Sequence, residues 1–548
     1  MKKSGSLKRI ITDFFDNTAN YRLFAIAVLF CDIRYLLPYV FYSFVGVVLI
    51  WGGCLAVKKY IIGGRVKLMR YRILVYAFLA GTLLTALINI RSNFFQNLYY
   101  SCVLGVVFFL FYGIHAEKSA YKVKKEMTRL FDGLNFVTSF IMALGMLLLF
   151  IFPEGIRIGS CDFLIHENRF IGFIPNANVA AFYAVMAFVS CHLLYRLRKN
   201  LGTLSGRLRA YYIVCALINA LAVFLTDSND ALLFMIVYFS FIAFFRVFRD
   251  FSLSRFYHFI FRLTATCLFA VIIAFSLVGT RTVTQNGVSL ILTAGQSTSE
   301  ISMGITGSRG GVVIKDDAKL DDIPDTTVSK SQSDSSSTGK SDSSTAKSDT
   351  DTKEKTDQEQ SKEVEYTSFK HENTNIDSGR FKLWRQGLTI LERSPIFGTG
   401  KANIGTYGDL YLGKMKSSTL NGTRFIDFHN GLLTIAVCYG IVGFNIFVVL
   451  AMTVAKRMFK TIFRNQGKNR DTAVLVVLTA FCAAYTAYSM FEPTLLVDDT
   501  YRIFIFWLII GFALSLTHKK TYVLRPDRMT LLERITARPG ARAVDSRT

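Results

Sequence analysis

Charged residues are scarce in this chain of 548 residues, at 19%, where an average soluble protein has roughly 25%. Proline occurs only 8 times, whereas hydrophobic residues make up 51% of the chain and phenylalanine alone occurs 49 times. The apolar residues come in blocks of about 20, the length that a helix needs to cross ~30 Å of hydrocarbon. This composition excludes a string of soluble domains and indicates a polytopic membrane protein.

Three further absences narrow the function. The nine cysteines lie almost entirely inside the apolar blocks, where cysteine behaves as a small hydrophobe, and this argues against a disulfide framework. His166 and Glu167 lack a second histidine at metal-site spacing, so we predict neither a metal nor another cofactor. In the Gly-rich stretch 397–405, Lys401 is followed by Ala402 instead of the Ser or Thr of a nucleotide-binding loop, so we predict a turn.

Hydropathy predicts an all-α fold with about 12 transmembrane helices. Basic residues concentrate in alternate connections, as at 58–72, 196–209 and 456–470. By the positive-inside rule these connections and both termini, including the basic tail 518–548, are cytoplasmic. The formal net charge is +24, but the position of these basic residues in short connections at the span ends argues against nucleic acid as a binding partner. The predicted spans lie near 20–36, 38–57, 72–91, 96–114, 133–153, 172–195, 209–226, 230–247, 258–279, 429–453, 472–490 and 501–517.

One outer connection is far longer than the others. It separates transmembrane helices 1–9, in residues 1–279, from helices 10–12, in residues 429–517, so we predict a large extracytoplasmic loop over 280–428. Within it, the Ser-, Asp- and Lys-rich segment 328–362 has almost no apolar side chains and is predicted to be disordered. Residues 379–394 are predicted to form a short helix in the membrane interface.

Polar residues gather at the outer ends of the spans, and two clusters there are candidates for chemistry. Arg169 precedes the sixth span, and Asn176 and Asn178 lie in its first turns. Arg169 could hold a phosphate, or it could extend to the lipid headgroups. His429 and Asn430 open the tenth span. A histidine at a helix N-terminus favours the neutral imidazole that accepts a proton, and the alternative is a simple helix cap.

The interfacial helix is the third candidate. Phe381, Trp384, Leu388 and Leu391 recur at the spacing of one helix face, and we expect Arg380 to lie away from that face. Arg380 and Trp384 could bind a substrate or belong to an ordinary amphipathic surface.

Acidic residues in two outer loops are weaker candidates. Asp227 and Asp230 lie between the seventh and eighth spans, and Glu492 lies in the last outer loop. Ordinary loop polarity is the alternative for all three.

Three motifs, in this order, resemble those of the O-antigen ligase and polymerase superfamily of bacterial envelope glycosyltransferases. Residues 169–178 are similar to its R-x-x-G…N-P-N stretch, with Ala177 in place of the usual proline. Residues 380–400, R-x-x-x-W…P-x-x-G-x-G, resemble the segment that leads out of the large loop, and residues 429–443 match H-N-x9-G-x-x-G. Many members carry Ser-Arg near the outer end of the seventh or eighth span, where this chain has Asn229 after serine.

The resemblance implies an inverting, metal-independent glycosyltransferase in the bacterial cytoplasmic membrane, with its active site on the extracytoplasmic side. It would move a glycan from undecaprenyl diphosphate to a glycan, lipid or wall acceptor, as a polymerase or a ligase in polysaccharide biosynthesis. Arg169 and Arg380 would stabilise the diphosphate and His429 would be the base. The expected substrate-binding residues are Asn176, Asn178, Trp384, Asn430, Asp227 and Glu492.

Two other functions remain open at this point. A flippase or exporter of lipid-linked glycans predicts polar residues in the middle of many spans, whereas here they gather at outer ends. A non-catalytic envelope-assembly scaffold would recruit partners through the 280–428 loop, and it predicts that deletion of 328–362 destroys function. A glycosyltransferase tolerates that deletion.

Overall fold

The protein is a bundle of apolar helices. Within the described residues, nine helices are long and apolar enough to cross a membrane, and three shorter apolar helices accompany them. Each of the twelve overlaps one predicted span, which confirms a helical polytopic membrane protein, while the number of helices that cross the membrane stays a prediction. The computed structural model describes residues 12–31, 37–158, 161–166, 168–174, 176–248, 256–303, 313–314, 380–412, 428–465, 470–496 and 500–517.

We number the helices in chain order. The predicted disordered segment 328–362 and the tail 518–548 lie outside the described residues. The helices are α1 (Thr18–Cys31), α2 (Pro38–Ala56, continued by a π-helical turn Val57–Ile62), α3 (Arg72–Ile88), α4 (Phe94–Val106, continued by a π-helical turn Val107–Tyr112), α5 (Ala120–Ile151), α6 (Ala177–Leu201), α7 (Gly206–Leu225), α8 (Asn229–Phe248), α9 (Phe256–Met303), α10 (Arg380–Arg393), α11 (Ile404–Leu412), α12 (Gly431–Asn465), α13 (Arg470–Tyr488) and α14 (Tyr501–Leu516), with short helical turns at Arg65–Leu68, Ile114–Glu117 and Lys401–Asn403.

Three strands of a small sheet lie in the connection between α5 and α6, where only a loop was expected, and a fourth strand follows α9. Its strands are β1 (Ile156–Ile158), β2 (Cys161–His166), β3 (Arg169–Gly172) and β4 (Val313–Ile314), in the order β3-β2-β1-β4. The first three pair antiparallel, whereas β4 pairs parallel with β1. The all-α expectation therefore omits this sheet. It also moves the start of the sixth helix from residue 172 to Ala177, because β3 continues to Gly172 and Asn176 caps the helix.

Helix α9 is much longer than the ninth predicted span. It continues to Met303, past residue 279, while the end of its membrane-spanning part stays a prediction. The helix sequence contains no proline, and scattered threonines and an arginine end a hydropathy window without ending a helix. The helix therefore ends about seven turns later than the predicted span.

Helix α12 is broken at Gly440, where φ is 64° and ψ is −175°. The stretch 395–400 fills the break: Thr399 and Gly400 donate backbone hydrogen bonds to residues 437 and 438, and Ile441 and Val442 donate to residues 395 and 396. Irregular backbone at membrane depth needs such internal partners. Gly440 thus admits the non-helical segment 395–400 into the break of the helix.

Helix α14 lies at the centre of the bundle. All sixteen of its residues are buried, as expected for a helix that is apolar on every side. Phe506 stacks on Tyr485 of α13 with ring centroids 4.4 Å apart, and the Trp507 indole donates to the Leu495 carbonyl at 3.0 Å. This packing fixes the connection between α13 and α14, which carries Glu492.

Candidate functional site

Arg169 contacts the turn between α7 and α8. Its Nε donates to the Thr226 carbonyl at 2.8 Å, and its Nη2 donates to Asn178 Oδ1 at 2.8 Å. The guanidinium therefore joins the end of β3 to the first turn of α6 and to the turn at 226–230. Both of these acceptors are neutral groups, and they orient the guanidinium at the turn.

Arg380, the first residue of α10, reaches the same turn. Its Nη1 and Nη2 donate to the two carboxylate oxygens of Asp230 at 3.2 and 2.9 Å, and its guanidinium carbon lies 5.2 Å from the centroid of the Phe491 ring. Asp230 is 4% exposed, so this bidentate pair is largely removed from solvent. Arg380 thus points into the bundle, whereas the sequence predicted only that it lies away from an apolar face.

The side of α10 that packs on the bundle is not the apolar face defined by the sequence pattern. Gly387 and Ile390 are buried, and a Cβ on Gly387 would lie 2.9 Å from Leu433 of α12. Phe381 is 64% exposed, and Trp384 lies between it and Phe491, at ring-centroid distances of 5.3 and 6.3 Å. A pattern of apolar residues does not detect a glycine, yet Gly387 lies on the side of α10 that contacts α12.

Arg281 of α9, which was not among the residues predicted from the sequence, also contacts the 226–230 turn. Arg281 Nη1 lies 2.9 Å from Asn229 Oδ1 and 3.2 Å from Asp227 Oδ1. Gln285, one helical turn further on, donates to the same Asp227 oxygen at 3.0 Å. A long-range contact of this kind has no signature in the sequence, although an arginine in a continuing apolar helix was a signal.

His429, Glu492 and Arg502 form a second charged group. His429 Nδ1 lies 3.8 Å from Glu492 Oε1, and Arg502 Nη1 lies 3.6 Å from Glu492 Oε2. Burial alone would raise the pKa of the Glu492 carboxyl, but His429, Arg502 and Arg380 together lower it below its usual value. A carboxylate that stays ionised next to an imidazole stabilises the imidazolium.

The two charged groups form one site. Asp230 interacts electrostatically with His429 and Glu492 as well as with Arg380, and Arg380 acts on Glu492. All nine site residues predicted from the sequence lie around the 226–230 turn or around His429. The weaker candidates Asp227, Asp230 and Glu492 become stronger ones, since they contact Arg281, Arg380 and His429 respectively.

Two of the predicted substrate-binding asparagines are helix caps. Asn176 Oδ1 accepts hydrogen bonds from the backbone N–H groups of Asn178 and Val179 at 2.8 and 3.2 Å. Asn430 Oδ1 accepts from the Leu433 N–H at 3.0 Å. These contacts start α6 and α12 next to Arg169 and His429 respectively. A positioning role accounts for both asparagines.

The fold and the charged site define a polytopic helical membrane protein with an ionic centre built from helix ends. Residues 213–448 match the family model described as O-antigen ligase, and this match supports membership of the O-antigen ligase superfamily. The matched stretch runs from α7 into α12 and contains Arg281, Arg380 and His429. A comparison with curated proteins found no match.

Proposed function

We propose that the protein is an O-antigen ligase-like glycosyltransferase. It moves a glycan from undecaprenyl diphosphate to a glycan, lipid or wall acceptor at the extracytoplasmic face of the cytoplasmic membrane, without a metal. The observation that carries the proposal is the convergence of Arg169 and Arg380 on the 226–230 turn, where the Asp230 carboxylate is close enough to His429 for an electrostatic interaction. The family match supports glycan transfer in general.

The reaction is a single displacement at the anomeric carbon. An acceptor hydroxyl attacks this carbon while its proton passes to Nε2 of His429, because Nδ1 is directed at Glu492. The bond between the anomeric carbon and the phosphate oxygen breaks, and undecaprenyl diphosphate leaves with the electron pair. Attack opposite to the leaving group inverts the configuration. Glu492 holds the imidazolium that forms.

Arginine is suited to the leaving group. The charge on the diphosphate oxygen grows as the bond breaks, and preorganised guanidinium groups stabilise that charge. Arg169 is oriented by a carbonyl and an amide oxygen, which hold its guanidinium at the 226–230 turn. Arg380 is held by Asp230, and a diphosphate would share it with that carboxylate.

An apolar groove of the protein, next to the charged site, offers room for the prenyl chain. A cavity of about 230 Å³ lies between α12, α13 and α14, and Leu432 and Leu495 line it. These leucines follow His429 and Glu492 by three residues each, so the groove adjoins the reacting end. A lipid carrier bound there would extend along the helices while its diphosphate stays at the arginines.

The pool of lipid-linked glycans in the source bacterium tests the proposal. We expect deletion of the protein and Arg169→Ala to give the same accumulation: single repeats for a polymerase, or long lipid-linked chains for a ligase. Arg157→Ala is the matched control, since Arg157 lies in β1 of the same sheet and is 65% exposed. An unchanged pool after deletion, in a strain that makes the glycan and has no second homologue, would contradict the proposal.

A further inference from the structure

We infer that Arg281 is a third cation of the donor site and that it binds the diphosphate of the lipid-linked donor together with Arg169 and Arg380. This inference rests on the proposed function. It assigns a residue from the middle of α9 to a site otherwise built from helix ends and connections.

Arg281 contacts the same turn as Arg169 and Arg380. Arg281 reaches the 226–230 turn through Asn229 and Asp227 at 2.9 and 3.2 Å, while Arg169 reaches it through Thr226 and Arg380 through Asp230. Three guanidinium groups therefore contact one turn of five residues, each from a different element. Such a group of cations around one point is a binding site for a multiply charged anion.

Arg281 and Arg380 differ in how many of their guanidinium nitrogens contact the turn. Arg380 engages Asp230 with both of its terminal nitrogens. Arg281 makes both of its contacts to the turn through Nη1 alone, and a guanidinium carries five N–H donors. Its side chain is 18% exposed, so in the described part of the chain it keeps donors for a ligand while its charge stays oriented.

Gln285 also holds the Asp227 carboxylate, independently of Arg281. Gln285 is 4% exposed and donates to both the Asp227 carboxylate and the Phe224 carbonyl at 3.0 Å. The carboxylate therefore stays in place and satisfied when Arg281 turns part of its guanidinium towards a phosphate. Asp227 also has φ of 49°, a backbone conformation that a non-glycine residue adopts at some cost.

A purely structural role for Arg281 makes a different prediction. Arg281 and Arg380 stand on the two sides of the long connection between α9 and α10, so both ion pairs could simply hold the ends of that connection to the turn. Loss of such a tie would weaken the binding of any lipid to the site. Loss of a phosphate ligand would weaken only the binding of lipids that carry the diphosphate.

Lipid binding by the purified full-length protein separates the two roles. We would titrate it with undecaprenyl diphosphate and, separately, with undecaprenol, and follow both by native mass spectrometry. We expect Arg281→Gln to weaken undecaprenyl diphosphate binding about 10-fold or more, as for the loss of a charge-assisted hydrogen bond, with undecaprenol binding unchanged. Arg262→Gln is the matched control, because Arg262 lies on the same helix and contacts the Val247 carbonyl. We expect it to bind both lipids like the parent.

A rescue variant tests the role of the Arg281 guanidinium even if Arg281→Gln alone disturbs the fold. Position 229 opens α8 and its side chain touches Nη1 of Arg281, so an arginine there can place a guanidinium in the same space. We expect Asn229→Arg combined with Arg281→Gln to recover most of the diphosphate-dependent binding.

The outcomes separate this inference from the proposed function. Equal loss of both lipids in Arg281→Gln, or no loss of either, overturns the role of Arg281. If Arg380→Gln still weakens undecaprenyl diphosphate binding in that case, the proposed function stands. If the diphosphate has no effect on lipid binding in the parent protein, the proposed function fails as well.

Discussion

The break in α12 gives the strongest prediction about the fold, namely that Gly440→Ala detaches the stretch 395–400 from the bundle. A Cβ at Gly440 would lie 2.2 Å from the Ile396 carbonyl oxygen and 2.6 Å from the Phe397 nitrogen. Both neighbours are backbone atoms, so no side-chain rotation relieves the overlap. The φ of 64° with ψ of −175° is also a region that only glycine enters readily.

The cost has two parts. Strain at that backbone conformation is worth about 1–3 kcal/mol. Displacement of 395–400 breaks the hydrogen bonds from Thr399 to Val437 at 2.9 Å and from Gly400 to Cys438 at 2.8 Å, and also those donated by residues 441 and 442. Each contributes about 0.5–1.5 kcal/mol. The lower ends of these ranges, with four hydrogen bonds, add to about 3 kcal/mol, and we expect the local opening free energy to fall by that amount, which is roughly a 100-fold change in the opening equilibrium.

Amide hydrogen exchange in lipid nanodiscs measures that equilibrium directly. We expect the amides of residues 399, 400, 441 and 442 to exchange up to about 100-fold faster in Gly440→Ala. Gly133→Ala is the control, because Gly133 lies inside α5 with nothing within 4 Å of the position that a Cβ would take, and alanine favours a helix. Unchanged exchange at those four amides in Gly440→Ala would refute the proposed role of the glycine.

Three further predictions concern the site. Glu492→Gln removes a carboxylate that lies 3.8 Å from the His429 imidazole and whose pKa is below its usual value, so that it is ionised at neutral pH. Because this carboxylate stabilises the imidazolium, we expect the acid limb of the activity profile to move to lower pH by about one unit in the variant. An unmoved acid limb would contradict the pairing of Glu492 with His429. Ala451→Trp, which narrows the apolar groove, is expected to raise KM for an undecaprenyl donor at constant kcat but not for a short-chain prenyl donor. Asn176→Ala loses a helix cap worth about 1 kcal/mol and should lower the thermal midpoint, whereas Asn178→Ala should mainly lower turnover; equal effects of the two would argue against separate roles.

Local patterns in the sequence predicted the helices well. Apolar blocks of about 20 residues locate the helices, because a membrane span is defined by composition and not by distant contacts. The helix ends near the charged site were also predictable, since Arg169 precedes by seven residues, and His429 by one residue, an asparagine that caps the following helix. The order of these motifs along the chain carried the family resemblance.

Features that depend on contacts between distant residues were missed. Gly440 and the stretch 395–400 meet across about 40 residues of sequence, so no local pattern in the sequence identifies this contact. Arg281 lies about 50 residues beyond the turn that it contacts. It belongs to an extension of α9 that the hydropathy boundary at residue 279 excluded. Hydropathy averages over polar residues, whereas helix length depends on the absence of a breaker.

Reconstitution tests the central claim, glycan transfer with His429 as the base, most directly. The purified protein would be placed in proteoliposomes with an undecaprenyl-diphosphate-linked glycan and its acceptor, and the released undecaprenyl diphosphate would be measured together with the product. We predict one released carrier per glycan transferred, and loss of both signals in His429→Ala with unchanged protein levels. Equal release from the parent protein and His429→Ala would contradict the claim.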